Sequence, residues 1–153
     1  MIKHIKCNIF ESGADVILHQ VNCQGVMGSG VAKQVKEKYP KAYWTYKMLC
    51  DATRHKDDLL GEVQVVQGDD GVFIANLFAQ ENYGYDGKRY TDYIALIECF
   101  RRICSYPVFD GRTIAIPYLM GCRRGGGDWD IVYRFIEEAF QDHDVLICEY
   151  DGG

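Results

Sequence analysis

Three kinds of residue in this chain could do chemistry. His19 lies inside the apolar run Val16-Ile17-Leu18-His19-Gln20-Val21, three residues before Asn22. Imidazole titrates near neutral pH, which makes His19 the best candidate for general acid–base work. The alternative is a buried strand histidine bonded to a neighbouring backbone carbonyl. Strand alternation puts His19 with Ile17 and Val21, opposite Gln20 and Asn22. The Asn22 amide both donates and accepts, which suits two vicinal hydroxyls. Asp128 opens a helix-like run and can serve as an N-cap, a reactive carboxylate, or both. The four histidines, His4, His19, His55 and His143, show no metal-ligand spacing, so neither metal nor cofactor is expected.

Two glycine-rich stretches flank these residues. Gly25-Val26-Met27-Gly28-Ser29-Gly30 precedes Val31-Ala32-Lys33-Gln34-Val35, and Gly121-Cys122-Arg123-Arg124-Gly125-Gly126-Gly127 precedes Asp128-Trp129-Asp130-Ile131-Val132. Each sits between a strand-like and a helix-like run. That order turns backbone N–H groups and a helix N-terminus toward a phosphate. The first loop lacks the Gly-Lys-Ser/Thr of a Walker A and has G-x-x-G-x-G where a dinucleotide fingerprint has G-x-G-x-x-G. Two such loops point to a diphosphate held from both sides, hence a nucleotide-like ligand.

The positioning elements follow from periodicity and breakers. Strands are expected at Ile2 to Cys7 (an edge), Val16 to Val21, Glu62 to Val66, Val72 to Phe78, Thr113 to Pro117 and Val145 to Tyr150. Gly68-Asp69-Asp70-Gly71 reads as a hairpin turn. Helices are expected at Val31 to Tyr39 and Ala42 to Arg54, split at Pro40, then from Thr91 as cap to Cys104, and at Asp128 to Phe140. Residues 79–90 form a polar, aromatic loop in which Tyr83, Tyr85 and Tyr90 are candidate lids. The order ββααββαβαβ predicts an α/β fold, a mixed sheet with helices on both faces and ligands at the strands' carboxyl ends.

Bulk properties narrow the classes. A length of 153 residues fits one domain, residues 1–153. A formal charge of −5 argues against nucleic acid as the main partner. No apolar run reaches the roughly 18–20 residues that cross a bilayer, so no membrane partner is expected. Seven cysteines without a C-x-x-C pair suggest free thiols and a cytoplasmic location.

The segments DVILHQVNCQGVMGSGVAKQVKEKYPKAY, NLFAQ with RYTDYIAL, and IPYLMGCRRGGGDWDIV together resemble the macro domain, the ADP-ribose-binding module. The likeness is nearest the branch that includes ADP-ribose 1″-phosphate phosphatases and the terminal ADP-ribose protein glycohydrolase. It implies a single three-layer α/β/α domain with a roughly six-stranded mixed sheet and ADP-ribose or a derivative as ligand. It implies that Asn8 and Ile9 meet adenine, and that Asn22 meets the distal ribose. Gly28, Ser29, Gly30 and Val31 would wrap the diphosphate against a facing loop of Met120, Gly121, Cys122, Arg123, Gly125, Gly126 and Gly127. His19 and Asp128 would be catalytic, with hydrolysis at the distal ribose; the alternatives are a non-catalytic binding module and removal of ADP-ribose from protein or nucleic acid. The glycohydrolase branch uses a lysine after the fourth strand and an aspartate in the second loop, where this chain has Ala79 or Gln80, and Gly125.

Overall fold

The computed structural model describes residues 1–150. Six strands, β1 (Ile2–Lys6), β2 (Val16–Val21), β3 (Val63–Gln67), β4 (Phe73–Phe78), β5 (Thr113–Pro117) and β6 (Asp144–Glu149), form one sheet in the order β1-β6-β5-β2-β4-β3. All neighbours are parallel except β3 and β4, which form the antiparallel hairpin expected from the Gly68–Gly71 turn. β1 is the edge strand anticipated from its weak alternation.

Four helices cover both faces. α1 (Gly30–Lys38) and α2 (Pro40–Ala52) are separated by Tyr39, and Pro40 opens α2, where its missing N–H has no intrahelical partner to lose. They cover the face where Ile17, Val21, Ile74 and Ala115 pack with Val35, Ala42 and Tyr46. α3 (Tyr93–Cys104) and α4 (Trp129–Ala139) cover the opposite face, where Val16, Leu18, Leu77, Ile114 and Ile116 meet Leu96, Phe100, Val132 and Ile136. Alternation along β2 therefore feeds two cores, burying the central strand on both sides. No helix among the described residues is long and apolar enough to cross a membrane.

This topology decides where a ligand can sit. The chain leaves β2 toward α1 on one face and reaches α4 after β5 on the other, although β2 and β5 are neighbours. Loops that diverge from adjacent strands open a crevice at their carboxyl ends.

Candidate functional site

A cleft of about 480 Å³ occupies that crevice, within the range usual for small-molecule sites. Asn8, Ile9, Cys148, Glu149 and Tyr150 line one end, beside β1 and β6. Gly28 to Val31 and Tyr118 to Gly121 form opposing walls at its middle. Gln20, Asn22, Gln80, Tyr83 and Tyr85 line the other end, near β2 and β4.

The middle wall contains the N-terminus of α1. Its N-cap, Ser29, is extended, with φ −152°, and makes no side-chain capping bond; no acidic residue follows in the first turn. α3 and α4 are finished differently: the carboxylates of Asp92 and Asp128 accept from Ala95 N and Asp130 N. The α1 end thus keeps its N–H groups and the positive end of its dipole for the cleft. Gly30 has φ +61°, a conformation that L side chains resist, and a Cβ there would meet nothing within 4 Å. Gly28 has ordinary φ, and its Cβ would make ordinary contact with Val26 Cγ1 at 3.5 Å. On the facing wall Leu119 holds φ 63°, the one non-glycine residue with positive φ among those described. Such strain concentrates where a loop must hold a particular shape.

Asn22, 8% exposed, shapes the first loop. Its Oδ1 accepts from Gln24 N at 2.9 Å and from the Tyr46 hydroxyl at 2.7 Å, while Nδ2 donates to Val26 O at 2.8 Å. The second amide hydrogen remains for the cleft. Asn8 is arranged alike: its Oδ1 accepts from Phe10 N at 3.0 Å and starts a 3₁₀ turn at Ile9–Glu11. One carbonyl lone pair is left for a ligand's amino group.

The structure separates His19 from Asp128: the first lines the cleft and the second does not. His19 is 1% exposed and forms part of the cleft floor. Its Nε2 lies 2.6 Å from Asn76 Oδ1. Asn76 Nδ2 donates to Ala42 O and Gln64 Oε1, which leaves Oδ1 as acceptor and makes His19 Nε2 the donor. Burial holds the imidazole down to about 4, only partly opposed by the Asn76 bond. The imidazole is therefore neutral at pH 7, with Nε2 protonated and Nδ1 buried without a partner among the described residues. Asp128 is exposed, caps α4, and lies outside the cleft lining. Glu149, at the β6 end, is the only carboxylate among the described lining residues.

The second loop divides similarly. Met120, Gly121, Arg123 and Gly125 line the cleft, whereas Cys122, Gly126 and Gly127 do not. Its glycines answer mainly to packing. A Cβ on Gly125 would collide with Thr91 Oγ1 and lie 2.6 Å from Gly121 O, and one on Gly126 would lie 2.9 Å from Arg89 Cα. Gly125 O accepts from Tyr90 N at 2.7 Å and Thr91 N at 3.0 Å, docking the loop on residues 90–91. The backbone thus leaves no room for an aspartate at position 125. Burial pushes the Cys23 thiol up to about 12 and Cys122 to about 11, so neither is a thiolate at neutral pH.

The floor at the Gln80 end is a network of neutral groups that the sequence reading missed. Gln20 Nε2 donates to Gln80 Oε1 and Thr91 Oγ1, both at 2.8 Å, and Thr91 Oγ1 donates to Gly121 O at 2.7 Å. Gln20 Oε1 is buried without a partner. Thr91 had been expected to cap α3, a role that falls to Asp92. The signal was available: Gln20 alternates out of phase with His19 and so belongs to the face carrying Thr91 and the second loop.

No protein-family model matches the chain. It is 30% identical over 160 residues to the DNA ADP-ribosyl glycohydrolase of Mycobacterium tuberculosis, covering 100% of this chain and 43% of that protein. It is 32% identical over 103 residues to the ADP-ribose 1″-phosphate phosphatase of Debaryomyces hansenii, covering 55% of this chain and 56% of that one. The chain therefore spans about half the length of these relatives or less. Among solved structures, the macrodomain of Mycobacterium tuberculosis DarG superposes with a TM-score of 0.82 at 23% identity, covering 97% of each chain. Thermosipho africanus DarTG in complex with ADP-ribose gives 0.76 at 21% identity, over 97% of this chain and 41% of that one. A six-stranded mixed sheet between two helix pairs, a cleft walled by two glycine loops, and these relatives agree: the chain belongs to the macrodomain family.

Proposed function

We propose that the chain binds ADP-ribose or a derivative in this cleft and hydrolyses it at the distal ribose, with ADP-ribose 1″-phosphate as the first substrate. The observation that carries the reading is the uncapped N-terminus of α1, which faces a second glycine-containing loop across the cleft. A helix N-terminus facing a loop in which Tyr118 N and Met120 N are engaged but Leu119 N and Gly121 N have no partner among the described residues suits a diphosphate better than any neutral ligand. Adenine then lies at the Asn8 end, where an amide oxygen can accept from its amino group. The distal ribose lies at the Asn22 and Gln80 end, among amides that bond hydroxyls. Water adds to the phosphorus of the 1″-phosphate, the P–O bond to the ribose breaks, and the ribose oxygen takes up a proton. With Asp128 outside the cleft and no acid–base dyad among the described lining residues, positioning and backbone dipoles carry the rate.

Release of ADP-ribose from DNA is the second reading. It is favoured by the whole-chain match to a DNA ADP-ribosyl glycohydrolase, and it leaves nucleic acid open as a partner despite the acidic net charge. Gln80 and the closed space at Gly125 count against a lysine–aspartate mechanism. Incubation with ADP-ribose 1″-phosphate, ADP-ribosylated DNA and ADP-ribosylated protein in parallel, read by product mass, decides between them. Phosphate and ADP-ribose released from the first alone support the phosphatase. Turnover of none reduces the function to binding.

A further inference from the structure

The end of the cleft near Gln80 carries charge that the diphosphate does not use. Loops 79–90 and 118–127 contain four cations, Lys88, Arg89, Arg123 and Arg124, against two carboxylates, Glu81 and Asp86, in a chain of net charge −5. Lys88 Nζ lies 3.8 Å from Asp86, and the Arg89 guanidinium is 4.6 Å from the Tyr93 ring centroid. Arg123 and Arg124 line the cleft and form no ion pair with any described residue. The Arg124 guanidinium lies over the Tyr85 ring, 4.2 Å from its centroid. This stack joins the two loops across the mouth of the cleft. Tyr85 is 67% exposed, so the ring is packed into no core that would otherwise account for it.

Stacking uses the face of a guanidinium and leaves its N–H edge free. Held this way, Arg124 presents a fixed fork of donors, the geometry that binds two oxygens of one phosphate. Resting on the reading that ADP-ribose occupies the cleft, we infer that Arg124, seated on Tyr85, is a specificity-determining residue that takes a further phosphate beyond the distal ribose. The diphosphate is already met by α1 and the facing backbone, and Arg124 answers to a second anion. A monoester on the distal ribose and a phosphodiester of a strand bearing ADP-ribose present the same pair of oxygens.

The test compares ADP-ribose, ADP-ribose 1″-phosphate and an ADP-ribosylated oligonucleotide on wild type, Arg124→Gln, Arg124→Lys, Tyr85→Phe and Tyr85→Ala. Affinity is taken from calorimetry where a ligand is stable and from initial-rate KM where it turns over. Wild type should prefer at least one phosphate-bearing ligand over ADP-ribose by about tenfold or more, the scale of a charge-assisted contact. Arg124→Gln should reduce that preference to within about twofold and Tyr85→Ala should cut it several-fold, while Tyr85→Phe keeps it and Arg124→Lys restores part. The ligand that shows the preference identifies the source of the phosphate. A wild type that binds ADP-ribose without preference, or a preference that survives Arg124→Gln, overturns the inference while leaving the cleft reading intact. Failure of ADP-ribose itself to bind overturns both.

Discussion

Lowering the pH should destabilise the fold through His19 in a calculable way. Burial holds its imidazole down to about 4, against 6.5 in an unfolded chain. The unfolded state therefore binds the extra proton between these values and the folded state does not. The stability that the neutral ring contributes is complete above pH 6.5 and is lost as pH falls toward 4. A gap of 2.5 pKa units corresponds to about 3 kcal/mol. His19→Gln keeps an N–H donor for Asn76 Oδ1 and removes the titration. Urea unfolding of both proteins from pH 4 to pH 7 isolates the effect, because the surface carboxylates are common to both. The wild type should gain about 3 kcal/mol on the variant across that range. The same reasoning predicts that turnover shows no limb near pH 6.5 that His19→Gln abolishes. A stability difference that stays flat with pH, or such a limb in the rate profile, would refute the neutral, buried histidine.

Other outcomes follow from the loops. Gly30→Val should cost about 1–2 kcal/mol through its positive φ and also block the ligand; Gly28→Ala should fold normally, read by melting temperature and calorimetry. Gly125→Asp should lose at least about 1–3 kcal/mol, because its Cβ has 2.6 Å to Gly121 O; a variant with wild-type denaturant midpoint contradicts the packing role. Asp128→Ala should lose about 1 kcal/mol as a missing helix cap and keep its turnover, which steady-state kinetics would check.

Much of the fold was legible because its signals are local. The apolar run at 16–21, the Gly68–Gly71 turn, Pro40 and the Asp128 cap each report on their own neighbourhood, and the strands and helices lie within a residue or two of their expected bounds. The cleft was legible because glycine loops mark strand ends. The illegible part is what side chains do across the sheet. Asn22 reads as a free ribose ligand until Tyr46, on α2, is seen bonding its oxygen. His19 reads as an acid until the β2–β4 register sets it beside Asn76. Gly125 and Gly126 read as phosphate-binding until residues 88–91 are found packed against them. Each needed a partner dozens of residues away, whose register no local pattern carries.

In the proposed function, the α1 N-terminus and the facing loop hold a diphosphate between adenine and a distal ribose. Calorimetric titration with ADP-ribose, set beside adenosine and the adenosine monophosphate, tests it most directly. ADP-ribose should bind with one-to-one stoichiometry, and at 100 times its Kd should stabilise the fold by about 2.7 kcal/mol, visible as a raised melting temperature. Adenosine should bind poorly and the monophosphate in between, because the α1 N-terminus meets no phosphate in the first and only one in the second. Equal affinity for adenosine and ADP-ribose, or no heat and no shift at millimolar ADP-ribose, would contradict the account.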